Sequence, residues 1–139
     1  MSLIDKLLQA DAGKLTEKPT EKIEIPRLSK LLKCKFEVEV QALDAHRHAE
    51  IQRQGINLGK KGGIKDLNLY DMKVLTLLAG VKDPNLKDPA LLSHFSASTP
   101  KDLIGKLFLP GEIDDLYSKI NELSGYEDDA DEIDEEVKN

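Results

Sequence analysis

The clearest pattern in the chain is an alternation of apolar and polar residues over residues 36–41. Phe36, Val38 and Val40 fall on one side of an extended backbone, and the polar residues between them fall on the other. This period of two predicts a strand with one buried face.

A weaker alternation precedes it, because Ile23 and Ile25 alternate with charged residues just before Pro26. Proline is tolerated at the edge of a sheet, so this segment predicts a short edge strand. Together the segments predict a small antiparallel β-hairpin, about 21–26 with 34–42. A lone hairpin is unstable in water, so a helix must cover its apolar face.

Beyond the hairpin, apolar residues recur at spacings of three and four, which is the period of helices that bury one face. Asp, Thr and Pro at the starts of these segments, and glycines at their ends, are typical helix caps. They predict about five short helices, near residues 44–54, 69–79, 89–95, 100–108 and 112–124. The predicted fold is α+β and mainly helical, with the hairpin packed on these helices.

A further short helix is predicted at the N-terminus, where Ser2 and Asp5 have the spacing of a capping box. Ile4, Leu7 and Leu8 would form one apolar stripe on a helix too short to be stable alone. Two interpretations are open. Packing of the stripe on its own domain is favoured, because the domain is covalently close and each buried aliphatic side chain contributes about 1.5–3 kcal/mol. In the other, these three residues bind a partner chain.

The charge is unevenly distributed. Of the net charge of -6, residues 127–139 carry -7, from eight acids and one lysine, which leaves +1 for the rest of the chain. Such an acidic block is predicted to be a disordered, solvated tail. The predicted organisation is an N-terminal helix and linker over 1–19, a domain over 20–126 and the acidic tail.

Composition indicates a protein of a reducing cytoplasm. The single cysteine, Cys34, cannot form an internal disulfide. No apolar run approaches the roughly 18 residues of a membrane span, and the N-terminus lacks the features of a signal peptide. We therefore expect a cytoplasmic protein with no membrane partner.

No group of residues has the spacing of a catalytic or metal site, so neither an enzyme nor a cofactor is predicted. His46 and His48 would point about 200° apart on a helix and could not chelate one ion together.

A basic segment gives the alternative function. Gly55 is predicted to end a helix, and residues 55–66 are predicted to form a flexible loop that carries Lys60, Lys61 and Lys65. A small regulatory protein could bind nucleic acid through this Lys60–Lys65 loop. The absence of interleaved aromatic residues makes this reading the less favoured one. Binding that weakens steeply with salt would identify it.

Several segments, in this order, resemble the XkdN-like phage tail assembly chaperones. The most specific is Leu109-Pro-Gly-Glu, which leads into a closing helix that ends at Leu-Ser-Gly-Tyr126. The matching pieces are 23–28, 36–40, 66–70, 81–86, 98–103 and 109–126. The resemblance covers roughly residues 20–126 and brings no mapped active site.

That resemblance implies a non-catalytic protein made during phage or prophage tail assembly in the bacterial host cytoplasm. It would bind the tape measure protein before tube polymerisation and would not remain in the mature tail. Tail tube subunits are a further candidate partner, and a homo-oligomer is left open. A helical domain can cover the apolar stripe of a long amphipathic helix, but the sequence does not identify which face would do so.

Overall fold

The structure, a computed structural model, describes residues 2–62 and 69–126, and within the fourth helix it describes the side chains only as far as residue 55. These residues form eight helices and three strands. In chain order they are α1 (Leu3–Gln9), α2 (Ala12–Thr16), β1 (Thr20–Glu24), α3 (Pro26–Leu32), β2 (Glu37–Gln41), α4 (Ala45–Gly62), α5 (Leu69–Gly80), β3 (Val81–Asp83), α6 (Pro89–His94), α7 (Pro100–Leu107) and α8 (Pro110–Leu123). The predicted mainly helical α+β fold is confirmed.

The sheet is antiparallel, in the order β1-β2-β3. The predicted hairpin is present, with Thr20 opposite Gln41 and Glu24 opposite Glu37. The third strand was not predicted. It has three residues and directly follows α5, with Val81 opposite Val40, so it is too short to show an alternation of its own.

The connection inside the hairpin is itself helical. Ile25 directly follows β1 and is the N-cap residue of α3, and Pro26 occupies the first helical position. The preset φ of proline suits that position, and its missing N–H is not needed there. The helix ends at Lys33, which adopts a left-handed conformation with φ of 57°.

The prediction that Gly55 ends a helix is wrong. α4 continues to Gly62, so Lys60 and Lys61 lie on a helix rather than in a loop, and Lys65 lies outside the described residues. Gly55 has a packing role instead, because a Cβ built there would overlap the side chain of Met72 on α5. The glycine allows the two helices to approach closely.

The core lies where α5 and α8 pack on the sheet. The apolar face predicted for the closing helix is confirmed, since Ile113, Leu116 and Ile120 of α8 are buried. Val38 and Val40 of β2 are fully buried below them. Aliphatic side chains supply nearly all of this core, as expected for a chain without tryptophan.

The end of α5 and the C-terminal part of α8 approach each other closely in the core. A Cβ built on Gly80 would lie 2.7 Å from Cδ1 and 2.9 Å from Cγ2 of Ile120, which is itself fully buried. Because Ile120 is surrounded by the packed core, a side chain at position 80 must displace it or separate the two helices.

We therefore expect Gly80→Ala to lower the free energy of unfolding by about 1–3 kcal/mol, the usual cost of overpacking a core. Gly111→Ala is the matched control, because a Cβ at Gly111 on α8 meets no atom within 4 Å. Urea denaturation of both variants measures the difference. A Gly80→Ala protein as stable as the control would show that the α5–α8 contact can relax.

Candidate partner-binding surfaces

An open groove lies between α3, α6 and α7, at the end of the sheet where β1 ends and β2 begins. Its volume is about 470 Å³, and its lining consists of eight apolar residues and two basic ones. The basic residues are Arg27 and Lys106, and no acidic residue lines it. The apolar ones are Leu28, Leu31, Leu32, Phe36, Pro84, Leu91, Phe95 and Leu107.

Two leucines of α3 form the exposed lip of this groove. Leu28 is buried, whereas Leu31 is 68% exposed and Leu32 is 55% exposed. Isolated exposed leucines are ordinary, but a pair beside an apolar concavity is typical of a protein-binding site. The pair was not predicted, although Pro26 and the spacing from Leu28 to Leu31 and Leu32 were signals available in the sequence.

A bidentate ion pair anchors α3, which forms one wall of the groove. The Arg27 guanidinium donates to both carboxylate oxygens of Glu112, at 3.1 and 2.9 Å, and also to the Leu107 carbonyl, at 2.8 Å. Glu112 also accepts from the backbone N–H of Leu109, at 2.8 Å. The pair therefore joins α3 to the end of α7 and the start of α8.

The same contacts shift the titration of the carboxyl group. The hydrogen bond from Arg27 lowers the pKa of Glu112 below its ordinary value of 4.5, partial burial opposes this, and the Leu109 N–H lowers it further. A carboxyl group with a depressed folded-state pKa stabilises the fold above its unfolded pKa. That contribution disappears as the pH falls through the folded pKa.

We expect Glu112→Gln to destabilise the protein at neutral pH. The deficit relative to the wild type should shrink as the pH falls below about 4.5, because the wild-type carboxyl group then takes up a proton. Chemical denaturation across this pH range measures it, with Glu17→Gln in the exposed segment before β1 as the control. A deficit that does not change with pH would mean that the ion pair does not stabilise the fold.

The N-terminal helix is the second exposed apolar surface. The predicted capping box is present, with Ser2 Oγ accepting from the Asp5 N–H at 3.1 Å and the Asp5 carboxylate accepting from the Ser2 N–H at 3.3 Å. Nevertheless α1 has no buried residue. Ile4 is 68% exposed, Leu7 is 62% exposed and Leu8 is 77% exposed.

The favoured interpretation, that this stripe packs on its own domain, is therefore wrong for this structure. The other interpretation, that Ile4, Leu7 and Leu8 bind a partner, remains a prediction. Leu3, which is 76% exposed, lies on the same face of α1, although the predicted stripe did not include it.

The described residues contain no group of three or more His, Cys, Asp or Glu side chains that could hold a metal ion.

His48 of α4 stacks on Tyr126, with ring centroids 5.0 Å apart. This contact packs Tyr126, which follows α8, against α4. A second, smaller hollow of about 280 Å³ is lined by both partners of the Lys73–Asp114 ion pair. None of the described helices is long and apolar enough to cross a membrane.

An exposed apolar groove and an exposed amphipathic helix are features of a protein that binds other polypeptides. The family model of the phage XkdN-like tail assembly chaperone proteins matches residues 4–138, and the chain belongs to this family. The protein is thus a phage tail assembly chaperone by family. The match extends beyond the segment 20–126 on which the resemblance rested.

A solved structure supports the fold independently. The crystal structure of the protein yqbn superposes with a TM-score of 0.60 at 14% sequence identity, and the alignment covers 85% of this chain and 98% of that one. At this identity the likeness concerns the fold alone. No curated protein matches the chain in a sequence search.

Proposed function

We propose that the protein binds the tape measure protein, as a non-catalytic chaperone, while the phage tail is assembled in the bacterial host cytoplasm. The observation that carries the proposal is the open apolar groove of α3, α6 and α7 on a member of a tail assembly chaperone family. A tape measure protein is a long amphipathic helix whose apolar stripe aggregates unless it is covered. The groove is the kind of surface that covers such a stripe.

The apolar stripe of α1 supplies a second contact in this proposal. Ile4, Leu7 and Leu8 close over the outer side of the helix that lies in the groove. The arm formed by α1 and α2 makes this closure feasible, because none of the residues of either helix is buried. Tail tube subunits are a further partner of the same kind. The chaperone leaves before the tail is complete.

Energetics favour a reversible complex. Each aliphatic side chain that becomes buried contributes about 1.5–3 kcal/mol. Only five exposed side chains, two leucines of α3 and three residues of α1, would become buried in the complex. Association itself costs about 4–15 kcal/mol in lost freedom of motion. The net affinity is modest, which suits a chaperone that must release its partner when the tail tube forms.

The first test is co-expression with the tape measure protein of the same phage or prophage. The wild type should raise the soluble yield of that protein and co-elute with it on gel filtration. Leu31→Glu with Leu32→Glu should weaken the complex at least about tenfold, because two carboxylates would have to lie against an apolar stripe. The control is Gln52→Glu with Gln54→Glu, an equal change in charge at two exposed positions of α4, outside both the groove and the arm.

The tape measure proposal is wrong if the wild type forms no complex and does not change the solubility of the partner. A complex that the groove variant binds as tightly as the control does would place the contact on another surface.

The second test concerns the helix α1. Leu7→Glu with Leu8→Glu should weaken the same complex while leaving the melting temperature of the isolated protein nearly unchanged, because both side chains are exposed in the free chain. Titration calorimetry against a tape measure fragment, together with thermal unfolding, measures both effects. Binding equal to that of the wild type would remove α1 from the contact surface.

A further inference from the structure

The helix α4 is the most positive of the described helices. It carries four basic residues against one acid, Glu50, and no other described helix has as large a positive charge. The acidic segment, residues 127–139, lies outside the described residues and carries eight acids against one lysine. We propose that the acidic segment lies along α4 of its own chain and shields this helix from nucleic acid, in place of the solvated tail that composition alone predicts.

The outer side of α4 is a basic face. Ile51 and Gly55 are buried and mark the inner side, where α4 packs on α5. Arg53 follows Ile51 by two residues, about 200° around the helix axis, and is exposed. It has no ion-pair partner among the described residues. Lys60 follows Arg53 by seven residues, about two turns, so its position on the helix falls on the same outer side.

The last described residues bring the acidic segment to the start of this helix. Ser124 Oγ accepts from the N–H of Leu43, just before α4, and Tyr126 stacks on His48 of α4 with ring centroids 5.0 Å apart. The Tyr126 N–H also donates to the Asn121 carbonyl of α8, at 3.0 Å. The acidic segment therefore begins beside the first turns of α4.

The acidic segment is long enough to follow the helix to its end. Its 13 residues span up to about 43 Å when extended. The 18 residues of α4 make a helix about 27 Å long. Carboxylates can therefore reach every basic position of α4, as far as Lys60 and Lys61.

A second basic surface is farther from the start of the acidic segment. Lys30 and Lys33 are exposed on α3 and at its C-cap, at the end of the sheet where β2 begins. The contact of Ser124 with Leu43 lies beyond the other end of β2, whose five residues span about 17 Å. The effective concentration of a tethered segment falls as the spanned distance grows, so α4 is favoured over α3.

This contact covers the surface of the domain that is most attractive to phosphate groups. An exposed basic helix attracts DNA and RNA without sequence preference. The carboxylates of the acidic segment compete for the same side chains within one molecule, and salt screens such contacts. Neither the groove nor α1 takes part, so the inference does not rest on the tape measure contact.

The first measurement locates the acidic segment in the full-length chain by paramagnetic broadening of amide signals. A spin label is attached at Asn139→Cys in a chain that also carries Cys34→Ser, which leaves every charge in place. The amides of α4 should be broadened more than those of α3, and high salt should reduce the effect. It should also decrease in the tail variant, which carries Glu132→Gln, Asp134→Asn, Glu135→Gln and Glu136→Gln.

The second measurement is the affinity for a short DNA duplex, by fluorescence anisotropy at low salt. The control variant neutralises the same number of exposed acids outside the acidic segment, with Glu17→Gln, Glu24→Gln, Asp83→Asn and Asp115→Asn. Because the two variants have the same net charge, only the position of the lost carboxylates differs. The tail variant should bind the duplex at least about fivefold more tightly than the control variant.

The same assay identifies the surface that binds the duplex. Adding Arg53→Gln and Lys60→Gln to the tail variant should remove its gain in affinity, because the duplex then loses the basic face of α4. Thermal unfolding of this variant checks that α4 remains packed on α5.

Three results overturn the proposal. Broadening of α4 that is no greater in the labelled wild-type segment than in the tail variant would show that the acidic segment does not contact α4. Broadening centred on α3 would place the segment on that surface instead. Equal affinities of the tail and control variants for the duplex, or a gain that persists without Arg53 and Lys60, would show that α4 is not shielded.

Discussion

The packing of α8 on α5 and the sheet is the contact on which the other features of the domain depend. Near the C-terminal end of α8, Ile120 packs against Gly80. The first turn of α8 carries Glu112, which holds Arg27 and hence α3 in place. Beyond its last turn, Ser124 Oγ accepts from the Leu43 N–H at 2.9 Å, at the end of β2. One rigid helix therefore positions both ends of the sheet.

This arrangement explains how a small domain keeps a groove open. Residues that bind a partner need a fixed geometry even when they are exposed, and helices position such residues more precisely than loops do. Here the groove wall formed by α3 is joined at its first turn to α7 and α8 by Arg27, while Leu28 is buried beneath it. Leu31 and Leu32 can stay exposed because the rest of α3 carries the anchoring contacts.

The sequence predicted those parts of the fold in which the local pattern and the tertiary contacts agree. The alternation from Phe36 predicts β2, and the Thr99 cap on the Asp102 N–H and the positive φ of Gly125 were both expected from residue type. The predictions were wrong where a contact between residues distant in sequence determines the secondary structure. β3 pairs with the edge that β2 offers it, and Gly55 lies inside α4, where the side chain of Met72 on α5 leaves no room for a Cβ.

The candidate site was predictable only in part, for a physical reason. An apolar stripe such as Ile4, Leu7 and Leu8 has the same spacing whether it packs on its own domain or on another chain. The pattern therefore predicts an apolar face but does not indicate which surface covers it. The groove depends on the arrangement of three separate helices, and only Leu31 and Leu32 of its lining are adjacent exposed residues. No local pattern specifies a concavity of that kind.

The short length of α3 has a consequence for the supply of the protein. Seven residues make a wall about 10 Å long, so one groove covers about two turns of a helix. Under the proposed function, a tape measure helix many times longer is covered only if many copies line up along it. The number of copies required would then increase in proportion to the length of the tail, and a phage with a longer tail would need more of this protein for each particle it builds.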